Sequence, residues 1–220
     1  ENLPPGRAQI LTLGAEWAQA SDESGENPVS WSTAQNLADV MYTSGSTGTP
    51  NGVAVCQQSV VRLVYDPNYA ELKATDVVLQ LAPPTFDAAT FEVWASLLHG
   101  GRLVLAPYEK PSLEQVGQTL TRHRVSTLWL TSGLFHQLVD HDVDVFGSVR
   151  QLLAGGDVLS VSHVRKVLEQ FPSCRLIKGY GPTENTTFTC CYSMQGPEAA
   201  PAISVPIGRP ITGTEVFVVD

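Results

Sequence analysis

Three short stretches carry the residue types that do chemistry. The first is Thr43-Ser44-Gly45-Ser46-Thr47-Gly48-Thr49-Pro50-Asn51-Gly52, which follows the apolar run Leu37–Tyr42. Its glycines let backbone N–H groups approach an anion, and its hydroxyls supply further donors. A strand in front and a helix behind would complete a phosphate nest; the same composition also suits a polar turn between two hairpin strands. The spacing is not that of a Walker A loop. The second stretch is Gly179-Tyr180-Gly181-Pro182-Thr183-Glu184-Asn185-Thr186. Its ring can lie flat on a planar ligand, and Glu184 offers hard oxygens suited to Mg²⁺ carrying phosphates. Read structurally, it is a turn whose shape Pro182 sets. The third runs from Pro83 to Trp94 around Asp87. Asp87 is either a helix N-cap or the partner of a ligand's ammonium group in an apolar pocket.

Composition narrows the partners. The chain has 220 residues, 43% of them hydrophobic, and a formal charge of −9. That is ample for a buried core and argues against a nucleic-acid footprint. No apolar run reaches membrane-spanning length and no signal peptide is present, so a cytoplasmic setting is expected. Cys56, Cys174, Cys190 and Cys191 lack C-x-x-C spacing and are expected to be free thiols. The five histidines are scattered without metal-ligand spacing. The opening Glu1-Asn2-Leu3 and the strand-like ending Glu215–Asp220 suggest a piece of a longer protein, a single core subdomain over residues 1–220 truncated at both ends.

The elements that must position these stretches follow from periodicity. Ile10–Leu13 is a strand candidate, and Ser21–Asn27 an acidic connector. Val40–Tyr42 and Gly52–Val55 flank the first glycine loop as a hairpin-like crossing, and Gln58–Tyr65 reads as a helix ending before Pro67. From Thr75 the chain alternates. Strands are predicted at Val77–Leu81, Leu103–Leu105, Val125–Leu130, Val149–Leu153 and Arg175–Ile177. Helices are predicted at Asp87–Leu98, with Phe91, Trp94, Ala95 and Leu98 on one face, then at Ser112–His123, Leu134–Val139 and Ser160–Phe171. Such βαβ units give an α/β fold with a largely parallel, doubly wound sheet and helices on both faces. Ligands in these sheets lie beyond the carboxyl ends of the strands, where Pro83–Asp87, Ala154–Asp157 and Gly179–Glu184 all fall.

Taken together and in this order, the stretches resemble the adenylation domains of nonribosomal peptide synthetases, within the adenylate-forming ligase superfamily. Tyr42–Val53 looks like the family's phosphate loop, Gly179–Glu184 its nucleotide motif, Phe86-Asp87-Ala88 the start of its amino-acid pocket, and Val205–Pro210 a further family segment. The resemblance implies a flavodoxin-like subdomain of an enzyme that joins an amino acid to ATP, giving an aminoacyl-AMP and pyrophosphate. It implies Thr43, Thr183 and Glu184 as catalytic residues. Thr43, Ser44, Gly45, Ser46, Thr47, Gly48, Gly156, Gly179, Tyr180, Gly181, Thr183 and Glu184 would hold the nucleotide, with Mg²⁺ on Glu184 and Tyr180 against adenine. The implied partners are the amino acid, ATP, the rest of the adenylation domain and a peptidyl carrier domain bearing phosphopantetheine, with no nucleic acid and no membrane.

Matching the family's specificity positions gives Asp87, Ala88, Phe91, Trp129, Leu153, Gly155, Gly179, Thr187 and Phe188. Asp87 would pair with the substrate's α-ammonium, while the three aromatics leave room for a short branched side chain, similar to the family's valine-type pocket. Isoleucine should be rejected imperfectly, because one methylene is worth about 1–3 kcal/mol. The family's loop usually has lysine where this chain has Asn51, which predicts weaker ATP binding or slower adenylation. Neither the ribose motif nor the C-terminal lysine of the family lies within the 220 residues, so the piece alone is expected to adenylate poorly. An acyl- or aryl-CoA ligase core, or a non-catalytic binding module, are the alternatives.

Overall fold

The computed structural model describes residues 24–27, 29–44, 48–107 and 110–219. The chain divides into two compact units, residues 1–32 and 33–220. In the first, the described residues form no helix or strand, and Trp31 is exposed. The strand expected at Ile10–Leu13 lies outside the described residues.

The second unit opens with an antiparallel hairpin of β1 (Leu37–Thr43) and β2 (Asn51–Cys56), with Thr43 opposite Asn51 and Tyr42 opposite Gly52. The first glycine loop therefore joins two strands, and no helix starts directly behind it. Helix α1 (Gln57–Val64) begins only after β2. The chain then alternates through β3 (Val77–Gln80), α2 (Ala88–Leu97), β4 (Arg102–Leu105), α3 (Leu113–His123), β5 (Thr127–Thr131) and α4 (Ser132–His141). It continues through β6 (Gln151–Gly155), α5 (Val161–Gln170), β7 (Arg175–Tyr180), β8 (Cys190–Gln195) and β9 (Arg209–Pro210).

These last seven strands form one sheet in the order β4-β3-β5-β6-β7-β8-β9. The first five run parallel, and β8 and β9 are antiparallel additions. Counted from β3, the parallel part is wound 2-1-3-4-5, the flavodoxin order, whose switch point lies between β3 and β5. There the two strands pair only at Val78 and Thr127.

The strands read as unbroken apolar runs because both sheet faces are covered. Leu128, Leu130, Leu152, Ala154 and Leu176 point into one core with α3, α4 and α5. Their neighbours Trp129, Leu153 and Ile177 point into the other, with α1 and α2. Local signals set the helix ends. Ser112 Oγ accepts the Gln115 N–H at 3.2 Å and the Gln115 side chain accepts the Ser112 N–H at 2.8 Å, a reciprocal cap at the predicted start of α3. One predicted face is wrong. In α2, Phe91 and Ala95 are buried as expected, but Trp94 and Leu98 are 38% and 48% exposed. The buried stripe instead takes in the polar Glu92 and Ser96.

Candidate functional site

A cavity of about 350 Å³ opens at the carboxyl edge of the sheet. The turns after β3, β6 and β7 supply Asp87, Gly156 with Asp157, and Gly181 to its wall; β5 supplies Trp129 and β7 supplies Gly179 and Tyr180. The three turns expected to converge do converge.

Asp87 occupies the N-cap position of α2, yet its side chain makes no capping bond. It is half-buried, and burial raises its pKa above the usual carboxylate range. The Thr183 hydroxyl and the Ala88 amide oppose that rise, while the nearby Glu184 charge adds to it. The Asp87 carbonyl accepts the Thr187 hydroxyl at 2.7 Å, tying the turn after β3 to the loop after β7. A carboxylate released from capping and set in a partly desolvated cavity is suited to a cationic partner.

Beneath it the pocket is walled by rings. Phe188 sits 5.2 Å from Trp129 and 5.6 Å from Phe91, centroid to centroid. Leu153 lies in the same buried cluster, as does Ala88. The rings reach this far because two strand positions lack side chains. A Cβ on Gly179 would lie 2.5 Å from Phe188, and one on Gly155 would lie 2.7 Å from Trp129. Of the nine expected specificity positions, Asp87, Trp129, Gly179, Thr187 and Phe188 line the cavity, Ala88, Phe91 and Leu153 lie in the adjoining buried cluster, and Gly155 packs against Trp129.

The loop that delivers Phe188 is strained. Thr186 and Thr187 have φ of 52° and 65°, unusual for β-branched residues. Arg62 of α1 holds it, donating to the Asn185 carbonyl at 2.7 Å, to Phe188 O at 3.2 Å and to Thr186 O at 3.3 Å. No local pattern in the sequence points to Arg62, because its partners lie more than 120 residues away.

A second residue that the sequence does not disclose is Glu92, fully buried in α2. Its Oε2 accepts the N–H groups of Leu81 (3.2 Å) and Ala82 (3.0 Å). These amides continue β3 past the point where it leaves β5, so the carboxyl stands in for the missing strand. Burial pushes its pKa up to about 8, against the lowering effect of those two amides. The one signal available was an acidic residue set among apolar ones in a helical stretch.

Of the phosphate-loop residues, Thr43 ends β1 and Ser44 and Gly48 are exposed, the latter with φ of 82°. Gly45, Ser46 and Thr47 lie outside the described residues. Strand β2 packs against the Thr183–Asn185 turn, which brings the hairpin beside the second stretch. Tyr180 is 49% exposed at the cavity mouth, and Glu184 is exposed.

No group of three or more His, Cys, Asp or Glu among the described residues forms a metal cage. The four cysteines are free. Burial pushes Cys174 up to about 12 and raises Cys191, which leaves these thiols unreactive.

Comparison with known proteins bears on this arrangement. The family described as AMP-binding enzyme matches residues 4–220. One component of the linear gramicidin synthase of Brevibacillus parabrevis is 49% identical over 99% of this chain and 4% of its own length. Another component of the same synthase is 54% identical over 90% of this chain and 2% of its own. Among solved structures, holo-PA1221, a nonribosomal peptide synthetase protein with adenylation and carrier domains bound to a vinylsulfonamide inhibitor, superposes with a TM-score of 0.86. It is 36% identical, covering all of this chain and 38% of that one. The Klebsiella oxytoca NpsA N-terminal subdomain in complex with anthranilyl-AMSN gives 0.79 at 29% identity, over 90% of this chain and 51% of that one. The chain therefore spans a small part of its curated relatives and about two-fifths to one-half of these structures.

Proposed function

The chain belongs to the AMP-binding enzyme family, and we propose that it forms the substrate-selecting core of a nonribosomal peptide synthetase adenylation domain. The reaction joins an amino acid to ATP, releasing pyrophosphate and leaving an aminoacyl-AMP for a carrier domain's phosphopantetheine thiol. The observation that carries this reading is Asp87, half-buried and uncapped, beside Thr183 and over a floor of aromatic rings.

In this reading Asp87 accepts a charge-assisted bond from the α-ammonium and fixes the amino acid's orientation. The amino acid's carboxylate oxygen then faces the α-phosphorus, and the bond to the bridging oxygen of pyrophosphate breaks as the acyl–phosphate bond forms. Thr183 donates to the α-phosphate, and Thr43, Ser44 and the glycine loop donate to the leaving group. Glu184 would hold Mg²⁺, which neutralises charge developing on the departing oxygens. Catalysis is chiefly positioning, so no side-chain nucleophile is required.

The ring-filled floor supports a small branched side chain such as valine, and the two glycines explain why the rings reach so close. Pyrophosphate exchange by the complete adenylation domain against a panel of amino, aryl and fatty acids tests the reading. Valine should give the fastest exchange and isoleucine should follow. Faster exchange with an acid lacking an α-amine would transfer the chain to the acyl- or aryl-CoA ligase class.

A further inference from the structure

The floor of the cavity can sink only as far as the residue behind it allows. Phe188 lines the cavity and touches three rings, those of Trp129, Phe91 and Tyr69. Trp129 shares the cavity wall. Tyr69 does not: it is 4% exposed and meets Phe188 edge to face from outside the cavity, with centroids 5.6 Å apart. The sheet register gives its depth. Gly179, under Phe188, pairs with Cys191, and Ile177 pairs with Ser193. Ser193 Oγ donates to the Tyr69 carbonyl at 3.2 Å. Tyr69 is therefore anchored two strand residues, about 6–7 Å, nearer the amino end of β7 than Gly179, whereas the cavity opens at the carboxyl end.

Tyr69 is also held at both ends. Its hydroxyl donates to the Leu63 carbonyl of α1. The chain on either side of it is clamped. Asn68 donates from its side chain to the Pro210 carbonyl at 3.2 Å and accepts the Thr212 N–H at 3.2 Å. The Gln151 side chain of β6 accepts the Glu71 N–H at 2.7 Å and donates to the Glu71 carbonyl at 2.9 Å. A ring fixed at tip and base is a stop, and the ring it stops belongs to the cavity floor.

We propose that Tyr69 is a positioning residue for substrate selection, which holds Phe188 forward and so sets how long a side chain the cavity admits. This rests on the amino-acid reading above and deepens it. A plainer role, filling the core between α1 and the sheet, predicts lost stability with no change of preference.

Pyrophosphate exchange by the complete adenylation domain with valine, isoleucine, leucine and phenylalanine separates these roles. In Tyr69→Leu the Phe188 ring can withdraw toward the amino end. The kcat/KM for leucine and for phenylalanine, each relative to valine, should then rise about tenfold, since room for one methylene is worth at least that. The change should lie in the amino-acid KM and leave the ATP KM unmoved. Tyr69→Phe keeps the ring and frees its tip, so it should shift preference the same way by less, and it carries the test if Tyr69→Leu does not fold. In a Phe188→Leu background, Tyr69→Leu should add no further shift, because the stop has no ring left to hold. Unchanged ratios in the Tyr69 variants, a fall common to all four amino acids, or an equal shift with and without Phe188 would overturn the proposal. If the wild type exchanges with no amino acid, the amino-acid reading itself falls and this proposal with it. Amino-acid exchange whose preference ignores Tyr69 sinks the proposal alone.

Discussion

Replacing Glu92 by glutamine should change how stability depends on pH, and by a large amount. In the folded chain this carboxyl is fully buried with no ion-pair partner among the described residues, and its pKa is raised from 4.5 to about 8. The folded state therefore keeps a proton that the unfolded state releases. The stability this contributes is complete below about pH 4.5 and is lost as pH rises through 8. At about 1.4 kcal/mol per pH unit, the full loss is on the order of 5 kcal/mol. Glutamine is neutral at every pH. Its carbonyl can replace Oε2, which accepts both the Leu81 and the Ala82 N–H. Urea denaturation of the complete adenylation domain from pH 5 to 9 should show wild type and Glu92→Gln matched at the acidic end. The variant should then be several kcal/mol more stable at pH 8.5. Relative to Glu92→Gln, Glu92→Leu removes the acceptor and should cost about 1–3 kcal/mol for each bereft amide, at every pH. Parallel curves for wild type and Glu92→Gln would refute the reasoning, because they would mean that the buried carboxyl titrates alike in both states.

Other consequences follow from the same geometry. As pH falls through the raised pKa of Asp87, the amino acid's ammonium loses its partner. KM for the amino acid should therefore climb in mild acid while kcat changes little, and Asp87→Asn should abolish that dependence and cost about 1.5–3 kcal/mol in kcat/KM. Gly179→Ala puts a methyl 2.5 Å from Phe188 and should cost about 1–3 kcal/mol of stability, read as a lowered denaturation midpoint. Arg62→Lys keeps the charge but cannot span the Asn185, Thr186 and Phe188 carbonyls. It should raise the amino-acid KM more than the ATP KM, measured by exchange. Asn51→Lys should tighten ATP binding in calorimetry, since it adds a cation at the start of β2 beside the glycine loop.

The alternating part of the chain was legible because its apolar runs are long and its breaks are marked by glycine, proline and serine. The placement of Asp87, Thr183 and Glu184 at one edge of the sheet was legible because each sits in a turn at a strand's carboxyl end, where such sheets bind ligands. The buried face of α2 was misread for a physical reason. Trp94 and Leu98 share the helical spacing of Phe91, and nothing local reveals that the stripe is rotated to bury Glu92 and Ser96. The carboxyl belongs inside because β3 and β5 part at the switch point and leave two amides to satisfy. Such a demand arises only when the sheet exists. Arg62 was illegible for a similar reason, since its partners come from a loop that is strained only in the folded chain.

The two rims of the sheet are held together by different chemistry, and the difference says where change is tolerated. At the amino end the locks are complete. Arg150 grips Asp76 at 2.8 and 3.0 Å, and the Gln151 side chain takes both the N–H and the carbonyl of Glu71. Every polar group in those locks has a partner in the protein, so they contribute to stability and leave nothing for a ligand. At the carboxyl end the groups are left open. Asp87 forgoes its cap, Lys178 uses one donor of three, and two threonines hold left-handed backbone. Such groups cost stability, and Glu92 and Arg62 offset part of that cost from behind by fixing the turns that carry them. A stabilised variant designed by satisfying the open groups should therefore lose binding, whereas one that strengthens the amino rim should not.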